Sequence, residues 1–226
     1  MKWLKLAALI VIILLLISQL NNPVIAHIAD KNWLVDYIGQ NGIKGDVILL
    51  VTSIFFLAIS GPKQVIALVF GYLYHIYLGT LLTIAVCVVA ASINYTVAHF
   101  LLANILFKRF PNRMRKFNAF ASRAPFTKIL LLRLFPIGNN VVTNVLSGSV
   151  RVPLVPFFCA SILGYLPQTI IFVLAGAGIK SPDSNLIYVS VGLGVVSTIL
   201  TSLIYRDHVK QQVESLNQES NLDEAS

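Results

Sequence analysis

The chain has 226 residues, 57% of them hydrophobic and only 12% charged, with a net charge of +8. Soluble domains carry roughly 25% charged residues, so this composition excludes an ordinary soluble domain and points to a polytopic membrane protein. Cys87 and Cys159 both lie in apolar runs and read as buried structural thiols. No His/Cys/Asp/Glu cluster has metal-ligand spacing, and no glycine-rich phosphate loop is present. Neither a metal nor another cofactor is expected, and no catalytic residue stands out.

Residues 4–20 are apolar and flanked by Lys2 and Lys5, which predicts a membrane anchor or leader over residues 1–26. Residues 27–46 are polar with Trp33, Tyr37 and Ile38 interspersed, as in a short interfacial amphipathic helix ended by Gly39 or Gly42. The apolar run 47–60 reaches only about 21 Å as a helix, short of a bilayer core of about 30 Å. Gly61, Pro62 and Lys63 break it, and a second short run, 65–77, carries Gly71. Residues 78–106 are apolar apart from Asn94 and His99, long enough to cross. His75 and His99 read as packed rings rather than a proton relay, since no core carboxylate accompanies them.

The loop that follows, FKRFPNRMRKFNAFASR, is basic and marks the cytoplasmic side. A short apolar stretch, 129–135, then meets Pro136 and Gly138 and continues as 141–150 with Gly148. Each short pair reads as a helix going in, a Gly/Pro-broken tip and a helix coming back. Two short full spans would keep the same sidedness and remain an alternative. Residues 154–179 and 186–205 are the last two spans, and 206–226 form a flexible cytoplasmic tail. Lys2, Lys5, Arg206 and Lys210 place both ends on the cytoplasmic side, which four crossings satisfy. The expected fold is therefore an all-α polytopic membrane protein with about four full transmembrane helices. Two opposed re-entrant helical hairpins, at about 47–77 and 129–150, would form an inverted repeat within a membrane domain spanning 47–205.

Charge placement narrows the function. Between Asp46 and Asp183 there is no Asp or Glu, whereas eleven Lys and Arg residues fall in that stretch. Arg133 at bilayer depth costs at least about 2.5–3.5 kcal/mol, and with no acid to pair it the candidates are backbone carbonyls, water or an external anion. Asn139, Asn140 and Asn144, with Thr143 and Ser147, supply polar side chains that suit broken helix ends. The candidate anion site is thus Arg133, Asn139, Asn140, Asn144 and Lys63, shaped by Gly61, Pro62, Gly71, Pro136, Gly138 and Gly148. The competing reading places Arg133 near Lys128, snorkelling to the headgroups.

The stretch LLLRLFPIGNNVVTNVLSGSVRVPLVPFFCASILGYLPQTIIFVLAGAG, residues 130–178, resembles the DedA/VTT-domain superfamily, also called SNARE-associated Golgi proteins. Arg133, Pro136, Asn144, Gly148, Phe157, Gly164, Pro167 and Gly176 carry the likeness, and residues 68–101, with Gly71 and Gly79, are similar to the family's first block. The resemblance implies two opposed re-entrant hairpins and movement of phospholipid or polyprenyl-phosphate carriers between leaflets. The branch called DedA proper has acids near the first hairpin; here that hairpin reads SGPKQV, which puts proton coupling in doubt. The expected function is flippase- or scramblase-like translocation of a phosphate-bearing lipid, with no covalent step and hence no enzyme. The expected partner is an anionic phospholipid or polyprenyl-phosphate headgroup in a bacterial plasma (inner) membrane, not nucleic acid; a homo-oligomer stays open. The alternatives are a non-transporting membrane scaffold or assembly factor, and a small-solute transporter.

Overall fold

The computed structural model describes residues 23–134 and 140–180, together with positions 189 and 192. The expected anchor over 4–20, the span 186–205, the tail 206–226 and Pro136, Gly138 and Asn139 lie outside the described residues. Among the described residues every regular element is helical.

A single turn, α1 (Pro23–Ala26), leads into α2 (Lys31–Asn41). Asp30 caps α2, its Oδ1 accepting from the amides of Asn32 and Trp33 at 3.1 and 3.2 Å. Gly42 ends it with φ 52°, a conformation that side chains resist. Helix α3 (Ile43–Ala58) begins inside the stretch predicted as interfacial. Once Gly42 has turned the chain, Asp46 in the first turn complements the helix dipole and nothing delays nucleation until Val47. Leu49, Thr52, Ser53 and Leu57 form its buried stripe, while Val47 and Val51 are exposed.

A tight turn follows, with Ser60 at φ 94° and the Gly61 amide bonded to the Phe56 carbonyl at 2.8 Å. Helix α4 (Lys63–Val97) then starts directly after Pro62. It is two arms rather than one rod, because His75 adopts φ 61°, ψ −172°. The chain doubles back there so sharply that a Cβ on Gly79 would collide with the Phe70 carbonyl. His75 is consequently exposed at a break, not packed as its apolar neighbours suggest. A π-helical segment, Ala98–Leu102, carries α4 into α5 (Ala103–Arg109).

The basic stretch read as a loop is also helical. Helix α6 (Pro111–Ser122) buries Met114 and Ala121 and leaves Arg113, Arg115 and Lys116 exposed. Pro111 and Pro125 each sit at a helix start, where proline's missing amide costs nothing. The remaining helices are α7 (Pro125–Leu134), α8 (Asn140–Ser149) and α9 (Leu154–Lys180). Arg151, between α8 and α9, has φ 59°, so both short arms are followed by a left-handed residue before the next long helix.

Among the described residues two helical stretches, Lys63–Arg109, broken at His75, and Leu154–Ile179, are long and apolar enough to cross a membrane. Leu81, Ile105 and Val155 are among many large apolar residues left exposed, as expected where lipid replaces water. Association of such helices rests on close packing through small residues. The first arm of α4 lies against α9, with Gly71 on the backbone of Val173 and Gly176 on the Leu68 carbonyl. Helix α8 lies against the second arm in the same manner, with Gly148 on the Tyr95 carbonyl. Gly71→Leu should cost more than the roughly 1–3 kcal/mol of ordinary overpacking, because backbone rather than a movable side chain blocks it. Gly39→Ala, in open space within α2, should leave the detergent unfolding midpoint unchanged or raise it, since alanine favours a helix over glycine by up to about 1 kcal/mol. Equal midpoints for the two variants would refute the close approach.

Candidate functional site

A cavity of about 240 Å³ lies where the α3–α4 turn meets the start of α8. Gly61, Pro62 and Lys63 line it from the turn, and Asn140 and Asn144 line it from α8. Cys87, Ala90 and Ala91 of the second α4 arm and Tyr165 of α9 complete the wall. Lys63 is the first residue of its helix, so a helix amino end carrying partial positive charge borders the space, and Asn140 lines it from the first described turn of α8.

Both cations named from the sequence are buried here. Lys63 is 7% exposed and Arg133 is 6% exposed, which removes the snorkelling alternative for the guanidinium. Arg133 sits near the end of α7, drawn inward because α7 and α9 approach closely: a Cβ on Gly164 would overlap its Cβ. Its Nη2 donates to Asn144 Oδ1 at 2.5 Å and to Ser161 Oγ at 3.0 Å. Its Nη1 donates to Asn140 Oδ1 at 3.4 Å. Ser161 is held in turn by donating to the Phe157 carbonyl at 2.7 Å. The Nε of Arg133 is buried with no hydrogen-bond partner.

One aromatic ring joins the two charges. The guanidinium carbon of Arg133 and the Nζ of Lys63 each lie 4.6 Å from the centroid of Tyr165. A desolvated cation–π contact is worth about 2 kcal/mol, against a desolvation penalty of several kcal/mol for each ion. Hydrogen bonds close most of that gap for Arg133. For Lys63 the contact on the page is the Tyr165 ring face. No carboxylate among the described residues lines the cavity. The nearest in sequence, Asp46, already accepts from the Tyr74 hydroxyl at 2.6 Å.

The structure therefore brings together Lys63, Arg133, Asn140 and Asn144, with Gly61 and Pro62 shaping the wall. Gly71 and Gly148 stand apart from the cavity, in the helix contacts that position its walls. Sequence reasoning missed Tyr165 and Ser161, and it read Cys87 as ordinary packing. The spacing of Ser161, Gly164 and Tyr165 on one face of α9 was the available signal. Chemically the site offers donors and positive charge, and among the described residues no group of three or more metal-ligating side chains. It can hold an anion.

Comparison with known proteins agrees in extent. The family model described as VTT domain matches residues 61–178, more than half of the chain. A Caenorhabditis elegans protein, Transmembrane protein 41 homolog, is 27% identical over 136 residues, covering 58% of this chain and 55% of its own. The Bacillus subtilis (strain 168) protein YqeD is 26% identical over 175 residues, covering 74% and 79% respectively. Transmembrane protein 41B of Pongo abelii is 24% identical over 179 residues, covering 74% of this chain and 61% of its own. The chain thus spans about half the length of the nematode relative. No solved structure matches.

Asn144→Leu withdraws the short acceptor from a buried guanidinium and should lower stability by about 1.5–3 kcal/mol, the worth of a hydrogen bond to a charged group. Asn144→Asp should instead raise the unfolding midpoint by supplying the missing countercharge. Chemical unfolding in detergent measures both; no loss in the leucine variant would mean that Asn144 does not hold Arg133.

Proposed function

We propose that this chain, which belongs to the VTT-domain family of the DedA superfamily, translocates a phosphate-bearing lipid between membrane leaflets. The observation that carries the reading is the pair of buried cations on one Tyr165 ring beside a cavity with no carboxylate among its lining residues. An anionic phospholipid or polyprenyl-phosphate headgroup would supply the missing negative charge. Lys63 would donate to its oxygens directly, the Asn140 and Asn144 amides would contact them from α8, and the amino end of α4 would favour the anion. Arg133, already fixed by Asn144 and Ser161, would act mainly through its field. The acyl or prenyl tail stays in lipid, so no covalent step is required.

In this reading α3 with the first arm of α4, and α7 with α8, are two opposed re-entrant hairpins. Lys63 and Asn140 line the same cavity, which supports that arrangement. The exposed cations of α5 and α6 support a cytoplasmic side for those helices, consistent with a bacterial plasma membrane.

The test separates a binding lysine from a structural one. Lys63→Met removes a buried charge whose desolvation a ring face offsets only in part, and should leave the fold as stable as before or more so. The same substitution should lower transfer of labelled anionic lipid in reconstituted vesicles at least tenfold, and Arg133→Ala should abolish transfer without preventing insertion. Full transfer in either variant would remove the proposed site.

A further inference from the structure

The two glycine contacts that hold the long helices match in position but not in chemistry. Where Gly71 meets Val173 and Gly176 meets Leu68, the neighbouring Val69, Phe70 and Ala177 are buried and apolar. Where Gly148 meets Tyr95, four buried polar atoms have no hydrogen-bond partner: Asn94 Nδ2, His99 Nδ1, Ser147 Oγ and Ser149 Oγ. Ser147 and Ser149 flank Gly148 on α8, with exposures of 0% and 2%. Asn94 adjoins Tyr95, and the His99 ring stacks beside the Tyr95 ring at 6.0 Å. Leaving such a group dry costs about 1–3 kcal/mol, so four near one seam form a substantial debt, whereas along α9 beside the other contact Thr169 Oγ1, a turn before Val173, is such an atom. Polar groups within a membrane domain persist where they line water.

This seam begins about one helical turn beyond the cavity lining. Asn144 lines the cavity and Ser147 follows it by about one turn of α8; Ala90 and Ala91 line it and Asn94 follows by about one turn of α4. At its other end stands Arg151, exposed, with the Tyr95 hydroxyl bonded to the adjacent Val152 carbonyl at 2.6 Å. Helix α8 there packs on the π-helical segment and touches the basic helices α5 and α6.

We propose that the seam between α8 and the end of α4 is a hydrated passage along which the phosphate headgroup moves between the cavity and the leaflet beside α5 and α6. The inference rests on the lipid reading above and deepens it by assigning a route. Ser147, Ser149, Asn94 and His99 stand in for part of the headgroup's hydration along roughly 10 Å of α8 from Asn144 to Arg151. None of them binds it firmly, which suits passage rather than storage. Arg151 receives the headgroup at the mouth.

Single cysteines at Ser147 and Asn94, introduced into protein carrying Cys87→Ala and Cys159→Ala and reconstituted in vesicles, test the water. Both should react with a small anionic methanethiosulfonate reagent at least tenfold faster than Val173→Cys in the apolar seam. Equal, slow reaction at all three positions would overturn the passage, whatever the protein transports. Transfer of labelled anionic lipid then tests the route. Ser147→Leu and Arg151→Gln should each lower it at least fivefold, and Ser147→Thr should retain it. Wild-type transfer in both Ser147→Leu and Arg151→Gln would overturn the route while leaving the Lys63 site intact. Absence of transfer in the unmutated protein would instead overturn the lipid reading and, with it, the passage as a headgroup route.

Discussion

Two buried cations with no acid in reach among the described residues are the constraint around which the site is arranged. A charge taken out of water is tolerable only if dipoles surround it, and the chain meets this demand from four separate helices. Helix α7 brings the guanidinium, α8 the asparagine oxygens, α9 the hydroxyl and the ring, and α4 the second cation. Arg133 lies seven and eleven residues from Asn140 and Asn144, but the contacts with Ser161 and Tyr165 join distant segments, so the site exists only if the helices pack in one arrangement. The glycines at 71, 148, 164 and 176 enforce that arrangement by letting backbone touch backbone or stem.

The support is unequal, and the inequality bears on function. Arg133 is nearly satisfied by protein and behaves as a fixed source of potential. Lys63 rests on the Tyr165 ring face at the wall of the cavity. A site satisfied throughout would have no reason to admit a ligand. A donor resting on a ring face beside a fixed field binds an anion and can also release it, as a translocation site requires.

Much of this was legible in the sequence. The acid-free stretch from 47 to 182, the break at Gly61-Pro62-Lys63 and the asparagines after Arg133 together indicated an anion site, because charge and glycine–proline punctuation act locally. Helix limits were less legible. Helix α3 starts at Ile43 because a positive-φ glycine turns the chain, and α6 forms because Met114 and Ala121 find a surface to bury against. Tyr165 was hidden for a different reason: in an apolar helix an aromatic residue at core spacing looks like packing. Only the fold reveals that its two neighbours are cations. The stacking of His75 into an apolar run misled similarly, since the left-handed break that exposes it depends on the return of the chain against Phe70.

That break, and its counterpart at Arg151, tie each short arm to its long helix through a residue in a backbone state costing about 1–3 kcal/mol. A joint already sitting high on its torsional landscape gains by relaxing, whereas an ideal helix would have to be melted to bend. The articulations between arm and rod are therefore the places where this otherwise rigid bundle can swivel most cheaply. Motion there would tilt one wall of the cavity and be felt at the guanidinium, which is bonded to helices on both sides of the Arg151 joint.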